Sequence, residues 1–250
     1  MNRWGGGGDV SAGVSVNVGR HSAGSRAPVC FARSNLTSPA VCVDASGLAP
    51  EVAQALADAL PFLRCGEESA VHAFGRRLAN SAGGTARVTQ AALDAITADE
   101  SRHAAWLEAL ASALPAPEPA SRGPQEAAMA TFFRRLLTRD PALHFARIAA
   151  LDLAVCAILR PLVAQRNALA AAPQVVAGLR AIRGDEARHV RVARSCARGL
   201  GISAAQQRQL DLALRADLAR LLAPVRLSLR RLGIPEFGSE FSPARALDGV

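Results

Sequence analysis

The chain has 250 residues, enough for one large domain or two small ones with a core that can enclose polar groups. Hydrophobic residues make up 50% of the sequence and Ala and Leu dominate, which favours a mostly helical fold. The formal net charge is +8, but all 29 basic residues are Arg and they are spread along the chain. Because nucleic-acid-binding proteins usually gather their positive charge in a stripe, nucleic acid is not an expected partner.

Cysteine usage and hydropathy bear on the compartment. The five cysteines are scattered without a C-x-x-C pair, so neither a disulfide framework nor a zinc knuckle is predicted. No apolar run approaches the roughly 18 residues that a membrane span needs, and the N-terminus lacks a charged start followed by an apolar core. We therefore expect a cytoplasmic protein without a membrane segment.

Composition divides the chain into three parts. Residues 1–48 are rich in Gly, Ser, Val and Asn without helical periodicity, and we expect a flexible N-terminal extension with at most one short strand around 14–18. Helical periodicity begins at Pro50, so a helical body is expected over 49–233. Residues 234–250 are predicted to form a C-terminal tail.

The helical body reads as a series of separate helices. Asp140 and Ser203 are predicted N-caps, each directly before a helical run. The pattern predicts an all-α bundle with extra short helices and a C-terminal helix. The predicted helices are a short one ending near Pro61, followed by 62–80, 85–113, 125–138, 141–170, 174–199 and 204–232.

One motif occurs twice, as Asp-Glu-Ser-Arg-His at 99–103 and Asp-Glu-Ala-Arg-His at 185–189. Each copy holds a Glu and a His three residues apart, so on a helix both side chains point at one neighbour. Both copies also interrupt an otherwise apolar helical stripe. Burying a bare carboxylate is costly unless a cation compensates it, so the motifs predict a metal site.

An internal duplication supplies further acidic residues. Residues 68–78 align with 152–162, which pairs Glu68 with Asp152 and places each acid 32 or 34 residues before the Glu of the next motif. Two similar helix hairpins are implied, and packed together they form a four-helix bundle with a di-metal carboxylate site. Glu67 adjoins Glu68 and is the alternative ligand, but the internal alignment favours Glu68.

At these residues the chain resembles the ferritin-like di-iron carboxylate superfamily. The resemblance is to its oxygen-activating oxidase and oxygenase branch, which includes bacterial multicomponent monooxygenases, ribonucleotide reductase small subunits and acyl desaturases. It covers about residues 60 to 200 and places the chain in no subfamily. It implies a ferritin-like four-helix bundle that binds two Fe ions, with Mn as the alternative metal.

The resemblance also implies roles for individual residues. Glu100 and Glu186 would bridge the two ions, while Asp99 and Asp185 would hydrogen-bond the ligand His of the opposite half and fix its tautomer. The implied metal ligands are Glu68, Glu100, His103, Asp152, Glu186 and His189.

Two further positions follow the predicted acids by one helical turn. Cys156 matches a position that is commonly a pocket-lining Thr in the bacterial monooxygenases; the alternative is a small buried hydrophobic residue. His72 is a candidate pocket residue or extra ligand, or else a hydrogen-bonded core histidine. The chain contains no Tyr, which excludes a tyrosyl-radical role.

The function that the resemblance implies is an oxidase or oxygenase that activates dioxygen to oxidise a small-molecule organic substrate. A separate electron-donor protein is expected, because the sequence has no flavin or nicotinamide motif. The alternative is an iron-handling or peroxide-scavenging protein of the ferritin or rubrerythrin type. A third hypothesis is a bundle with a vestigial site that acts as an interaction subunit. A homodimer is one candidate assembly.

Overall fold

The computed structural model describes residues 42–74, 84–117 and 122–234. Regular structure within these ranges is helical, which confirms the predicted all-α bundle. Short 3-10 turns lie at Ala168–Ala171 and Ala223–Val225. The α-helices are α1 (Pro50–Phe74), α2 (Gly84–Ser112), α3 (Arg122–Leu136), α4 (Pro141–Leu162), α5 (Pro173–Gly199), α6 (Ala204–Leu222) and α7 (Arg226–Arg231).

The helices pack as two hairpins with additional layers. Helix α1 packs on α2 and α4 packs on α5, as expected from the duplication. Helices α2 and α5 also contact each other, and this contact brings the two Asp-Glu-x-Arg-His motifs together. Helix α6 packs on α4, and α7 packs on α1. The last two helices therefore cover the bundle beside the helices that carry Glu67 and Asp152.

Helix α1 is longer than the sequence indicated. We predicted a break near Pro61, but the helix continues through this residue. An internal Pro removes one backbone hydrogen bond and costs about 3 kcal/mol. Leu60 and Phe62 on either side are buried in the same core, and this burial offsets the cost. The predicted end of this helix at residue 80 lies outside the described residues.

Two other helices end earlier than predicted, both at proline. Helix α4 ends at Leu162, directly after Pro161, whereas we expected it to reach 170. The final predicted helix, 204–232, is divided at Pro224 into α6, a 3-10 turn and α7. The predicted caps are confirmed: Asp140 accepts hydrogen bonds from the first turn of α4, and Ser203 forms a capping box with Gln206.

The packed body begins before its predicted boundary at residue 49. Val43, Ala45 and Leu48 are buried in the main core. The Asp44 backbone N–H donates to Gln174 Oε1 on α5 over 2.9 Å. The segment 42–48 therefore belongs to the folded unit rather than to a flexible extension. Residues 1–41, with the predicted strand, and 235–250 of the predicted tail lie outside the described residues.

Helix α4 is long and apolar enough by composition to cross a membrane, contrary to our expectation that no segment would be. In the structure, 78% of its apolar window is buried inside the bundle. Asp152 lies within this helix and is buried as well. Helix α4 is therefore the central core helix of this fold.

Helices α2 and α5 approach each other closely where Trp106 meets Gly178. A Cβ atom on Gly178 would lie 2.0 Å from the Trp106 ring, whereas one on Gly184 of the same helix would meet nothing within 4 Å. Both Gly→Ala changes gain the same helix propensity, so the difference between them isolates the steric clash. We expect Gly178→Ala to be less stable than Gly184→Ala by about 1–3 kcal/mol. Urea unfolding of both variants measures this difference, and equal free energies of unfolding would contradict the close approach.

Candidate metal centre

Acidic and histidine side chains from four helices meet in the middle of the bundle. They form two groups that share Glu100 of α2 and Glu186 of α5. Within each group, one potential ligand atom from every residue lies within 4.8 Å of the others, and all the residues are buried. Such groups could hold metal ions. The first group is Glu67, Glu100, His103 and Glu186, and the second is Glu100, Asp152, Glu186 and His189.

Both histidines present Nδ1 to the cluster. His103 Nδ1 lies 3.3 Å from Glu67 Oε2 and 3.3 Å from Glu186 Oε1. His189 Nδ1 lies 3.2 Å from Glu100 Oε1 and 4.0 Å from Asp152 Oδ2. The two ring centroids are 6.1 Å apart. Each histidine therefore faces the carboxylates of one group.

The other ring nitrogen of each histidine binds an acid of the opposite hairpin. His103 Nε2 donates to Asp185 Oδ2 over 3.1 Å, and His189 Nε2 donates to Asp99 Oδ2 over 3.0 Å. A carboxylate can only accept, so a proton on Nε2 satisfies each of these contacts and leaves Nδ1 as the atom that would bind a metal. The structure thus brings Asp99 and Asp185 to the positions that the resemblance implied.

The arginine of the motif has a role that the sequence analysis missed. Arg188 donates to Asp185 over 2.8 Å and also to Asp99. Arg102 donates to Asp99 and lies 3.7 Å from Asp185. Although burial raises the pKa of Asp99, its hydrogen bonds with His189 and Arg188 outweigh this effect and lower it. The arginines therefore help keep Asp99 ionised as an acceptor, and the recurrence of Arg in both motif copies was the available signal.

The acid from α1 differs from the predicted one. Glu67 is 5% exposed and lies in the cluster, whereas Glu68 is half-buried with 33% of its side chain exposed, 3.9 Å from Arg64. Adjacent helical residues point about 100° apart, so only one of them can face the bundle centre. The structure therefore corrects the predicted ligand Glu68 to Glu67. The other predicted ligands, Glu100, His103, Asp152, Glu186 and His189, all lie in the cluster.

Several potential ligand atoms lack a well-formed hydrogen bond. Among the described residues, Glu100 Oε1, Asp152 Oδ2 and His189 Nδ1 are fully enclosed without a well-formed hydrogen bond, although His189 Nδ1 lies 3.2 Å from Glu100 Oε1. Leaving buried polar atoms unpaired costs about 1–3 kcal/mol each, and more when they are charged. All three atoms point into one group of the cluster, so a bound cation would satisfy them together. The residues present therefore fit a metal.

The raised pKa values of buried acids and of His189 show that the cluster strongly favours bound positive charge. Burial, and then repulsion from Glu100, raises the pKa of Glu67 well above its usual range. Burial, and then repulsion from Glu186, does the same to the pKa of Asp152. Although burial lowers the pKa of His189, interactions with Glu100 and Glu186 outweigh it and raise this pKa to about 11. Without a metal, protons take the place of the cation.

Metal binding should therefore displace protons. The ligating forms of these groups are deprotonated, and each has its pKa raised, so metal loading should strengthen as pH rises through neutrality toward the His189 pKa of about 11. We expect Mn(II) titration in weakly buffered solution to acidify the medium, which an indicator dye records. Loading without proton release, or with an affinity that falls as pH rises, would contradict the site.

Asp99 and Asp185, which accept hydrogen bonds from the two histidines, should affect metal affinity. Asp99→Ala removes the acceptor of the His189 Nε2–H and frees the ring, so we expect metal affinity to fall about 10–100-fold. Asp94→Ala on the same helix is the control, because Asp94 is exposed and bonds Gln90. Competition with a chelating dye measures both affinities. If Asp99→Ala binds Mn(II) as tightly as Asp94→Ala does, the supporting role is wrong.

The two remaining predicted positions have different outcomes. Cys156 is fully buried between α4 and α5, packed with Ala187 and Val190, and its Sγ lies 3.8 Å from the Arg183 carbonyl oxygen. It contributes nothing to the lining of the cavity beside the cluster, where Val155 lies instead, so its proposed role as a pocket residue is corrected to that of a small core residue. The His72 side chain lies outside the part of the chain that is described.

An apolar cavity adjoins the cluster. Its volume is about 60 Å³, and the four carboxylates Glu67, Glu100, Asp152 and Glu186 reach its wall. Every other described residue that lines it is apolar. Helices α6 and α7 complete the wall with leucines. The cluster is thus next to a space that suits an apolar molecule rather than bulk water.

Comparison with family models, with curated proteins and with solved structures finds no match to this chain.

Proposed function

We propose that this protein is a ferritin-like di-iron oxidase or oxygenase that activates dioxygen to oxidise a small organic substrate. One observation carries the proposal: two buried His–carboxylate groups share two glutamates and open onto an apolar cavity. A structural polar core would balance its buried charges, whereas this cluster gathers four buried carboxylates around two histidines.

The donor set supports two iron ions, with Mn as the alternative. Four carboxylates and two imidazoles are ligands that suit Fe or Mn, and their charge offsets two divalent cations. Glu67 and His103 would hold one ion, Asp152 and His189 the other, and the two shared glutamates would bridge them. Iron bound there would supply the electrons that reduce dioxygen.

The residues around the cluster would then orient the reactants and exclude water. The Asp99 and Asp185 carboxylates hold both imidazole rings in place. The apolar wall would keep water away and hold a substrate carbon beside the carboxylates. The chain contains no Tyr, so no tyrosine side chain could take part in dioxygen chemistry at this site. The protein itself would contribute binding, orientation and proton placement.

The electron balance calls for a partner. Inserting one oxygen atom into a C–H bond forms a C–O–H group, and the second oxygen atom leaves as water after taking up two electrons and two protons. Removing two hydrogens to form a C=C bond takes the same two electrons and two protons and releases two waters. Because the sequence has no flavin or nicotinamide motif, we propose that a separate electron-donor protein supplies the electrons.

The test is anaerobic loading with Fe(II), metal quantification and rapid mixing with dioxygen. We expect two Fe per chain and a transient visible absorption after mixing. Absence of stoichiometric metal would favour a vestigial bundle and contradict the proposal. Iron that accumulates beyond two per chain as a mineral would favour the ferritin-type alternative, and rapid turnover of hydrogen peroxide without dioxygen consumption would favour the rubrerythrin type.

A further inference from the structure

Helices α3 and α6 leave an open groove between them. Helix α3 packs mainly on α1 and meets α6 at few positions, so these two helices are not closed against each other. The groove has a volume of about 730 Å³, several times the roughly 150 Å³ that hold a benzene ring in a protein core. It therefore has room for several large side chains.

The lining of this groove is apolar and basic. Its partly buried apolar residues leave hydrophobic surface open to solvent, and these are Phe132, Leu136, Leu210 and Leu221. The charged residues of the described lining are three arginines and one acid, namely Arg135, Arg147, Arg220 and Asp217. Arg220 pairs with Asp217, which leaves a net positive charge. Such a groove is complementary to an acidic segment that carries apolar side chains.

The C-terminal tail of the chain has this chemistry. It contains Glu-Phe-Gly-Ser-Glu-Phe at 236–241, and this short segment holds two of the eight phenylalanines of the sequence. Phe237 and Phe241 are four residues apart, and so are Glu236 and Glu240. Residues four apart share one side of the backbone in an extended chain and also in a helix. In either conformation the two aromatic rings would face one way and the two carboxylates another.

The distances allow the tail to reach the groove. Ile234 lines the same cavity as Leu221, and Leu221 also lines the groove. Along α6 the groove runs from Leu210 to Leu221, which is about 16 Å at 1.5 Å per residue. Six residues of extended chain span about 20 Å. A segment that starts just after Ile234 is therefore long enough to cover the groove.

We infer that residues 236–241 of this chain dock in the α3–α6 groove, with Phe237 and Phe241 against its apolar residues and Glu236 and Glu240 beside its arginines. The aromatic contacts supply most of the affinity, because exposed ion pairs contribute little. The short tether helps as well, since it gives the segment an effective concentration in the millimolar range. The docked tail covers an outer face of the bundle, and the inference does not depend on the metal centre.

The test is proteolysis of the full chain, with a synthetic peptide of residues 235–250 as the reference for an unbound tail. We expect chymotrypsin to cleave after Phe237 and Phe241 at least tenfold more slowly in the full chain than in the peptide. Trypsin cleavage after Arg245, outside the docking segment, should be equally fast in both and is the internal control.

Two results would overturn the inference. Chymotrypsin cleavage at the peptide's rate would leave the groove open to an acidic segment of another protein. Protection that appears only at high protein concentration would assign the docked tail to a second copy of the chain.

Substitutions in the groove test the location. Ala213 is exposed and lines the groove, so Ala213→Glu places a negative charge against the tail and should restore cleavage after Phe237 to near the peptide's rate. Ala216→Glu, at an exposed position of the same helix outside the groove lining, should leave cleavage slow. Arg135→Glu is a second groove variant, and adding Glu240→Arg should reverse part of its effect. Cleavage that stays slow in folded Ala213→Glu and Arg135→Glu chains would overturn the inference.

Discussion

Replacing Glu100 or Glu186 with Ala is expected to reduce metal loading from two ions per chain to none. Each glutamate belongs to both ligand groups and is 2% exposed. Removing either one takes a carboxylate from both ions at once, whereas the other ligands each serve one ion. Metal quantification after anaerobic Fe(II) loading and desalting measures the effect.

The control for this experiment is Glu108→Ala. Glu108 lies on the same helix as Glu100, but 54% of its side chain is exposed and it pairs with Arg64 on α1. We expect this variant to load two ions per chain. Circular dichroism of all three variants establishes that the helices are retained. Two ions bound to a folded Glu100→Ala or Glu186→Ala chain would show that these residues do not bridge.

Replacing Glu67 with Ala is expected to lower loading from two ions to one, while Glu68→Ala keeps two. Glu67 Oε2 lies 3.3 Å from His103 Nδ1 in the first group, and the second group does not include it. Glu68 points toward Arg64 at the half-exposed edge of α1. The two variants have the same composition and differ in position by one residue, so each is the matched control of the other.

Ion counts and the dissociation constant for Mn(II) give the result of this comparison. A chain that loses one ion on Glu68→Ala and none on Glu67→Ala would restore the ligand that the internal alignment favoured. Equal losses in both variants would indicate that the N-terminal hairpin contributes no specific carboxylate.

The sequence predicted the helices with strong periodicity and the residues of the repeated motif, but not the acid on α1. The alignment of 68–78 with 152–162 rested on matching Ala, Val and Leu, which are common in any buried helix and carry little information about register. A slip of one residue rotates a side chain by about 100°, and only packing distinguishes the two registers. The structure places Glu67 33 residues before Glu100, so the two halves differ by one residue in spacing.

Features that depend on distant contacts were not predictable from local patterns. The continuity of α1 through Pro61 depends on burial of its neighbours in a core built from other helices. The apolar cavity needs walls from α6 and α7, which the sequence predicted only as one C-terminal helix. Local propensity indicates where helices form, whereas tertiary packing decides where they continue and what they enclose.

The crossed pairing of Asp99 with His189 and of Asp185 with His103 has a consequence for how the two halves depend on each other. In the first contact the acid comes from the N-terminal half and the histidine from the C-terminal half, and in the second contact the halves are exchanged. Contacts related in this way define an isologous interface between identical subunits. Neither hairpin alone supplies both a histidine and the acid that orients it. The chain therefore carries in one polypeptide the contact pattern of a symmetric dimer, and a change in either motif alters the surroundings of the histidine in the other half.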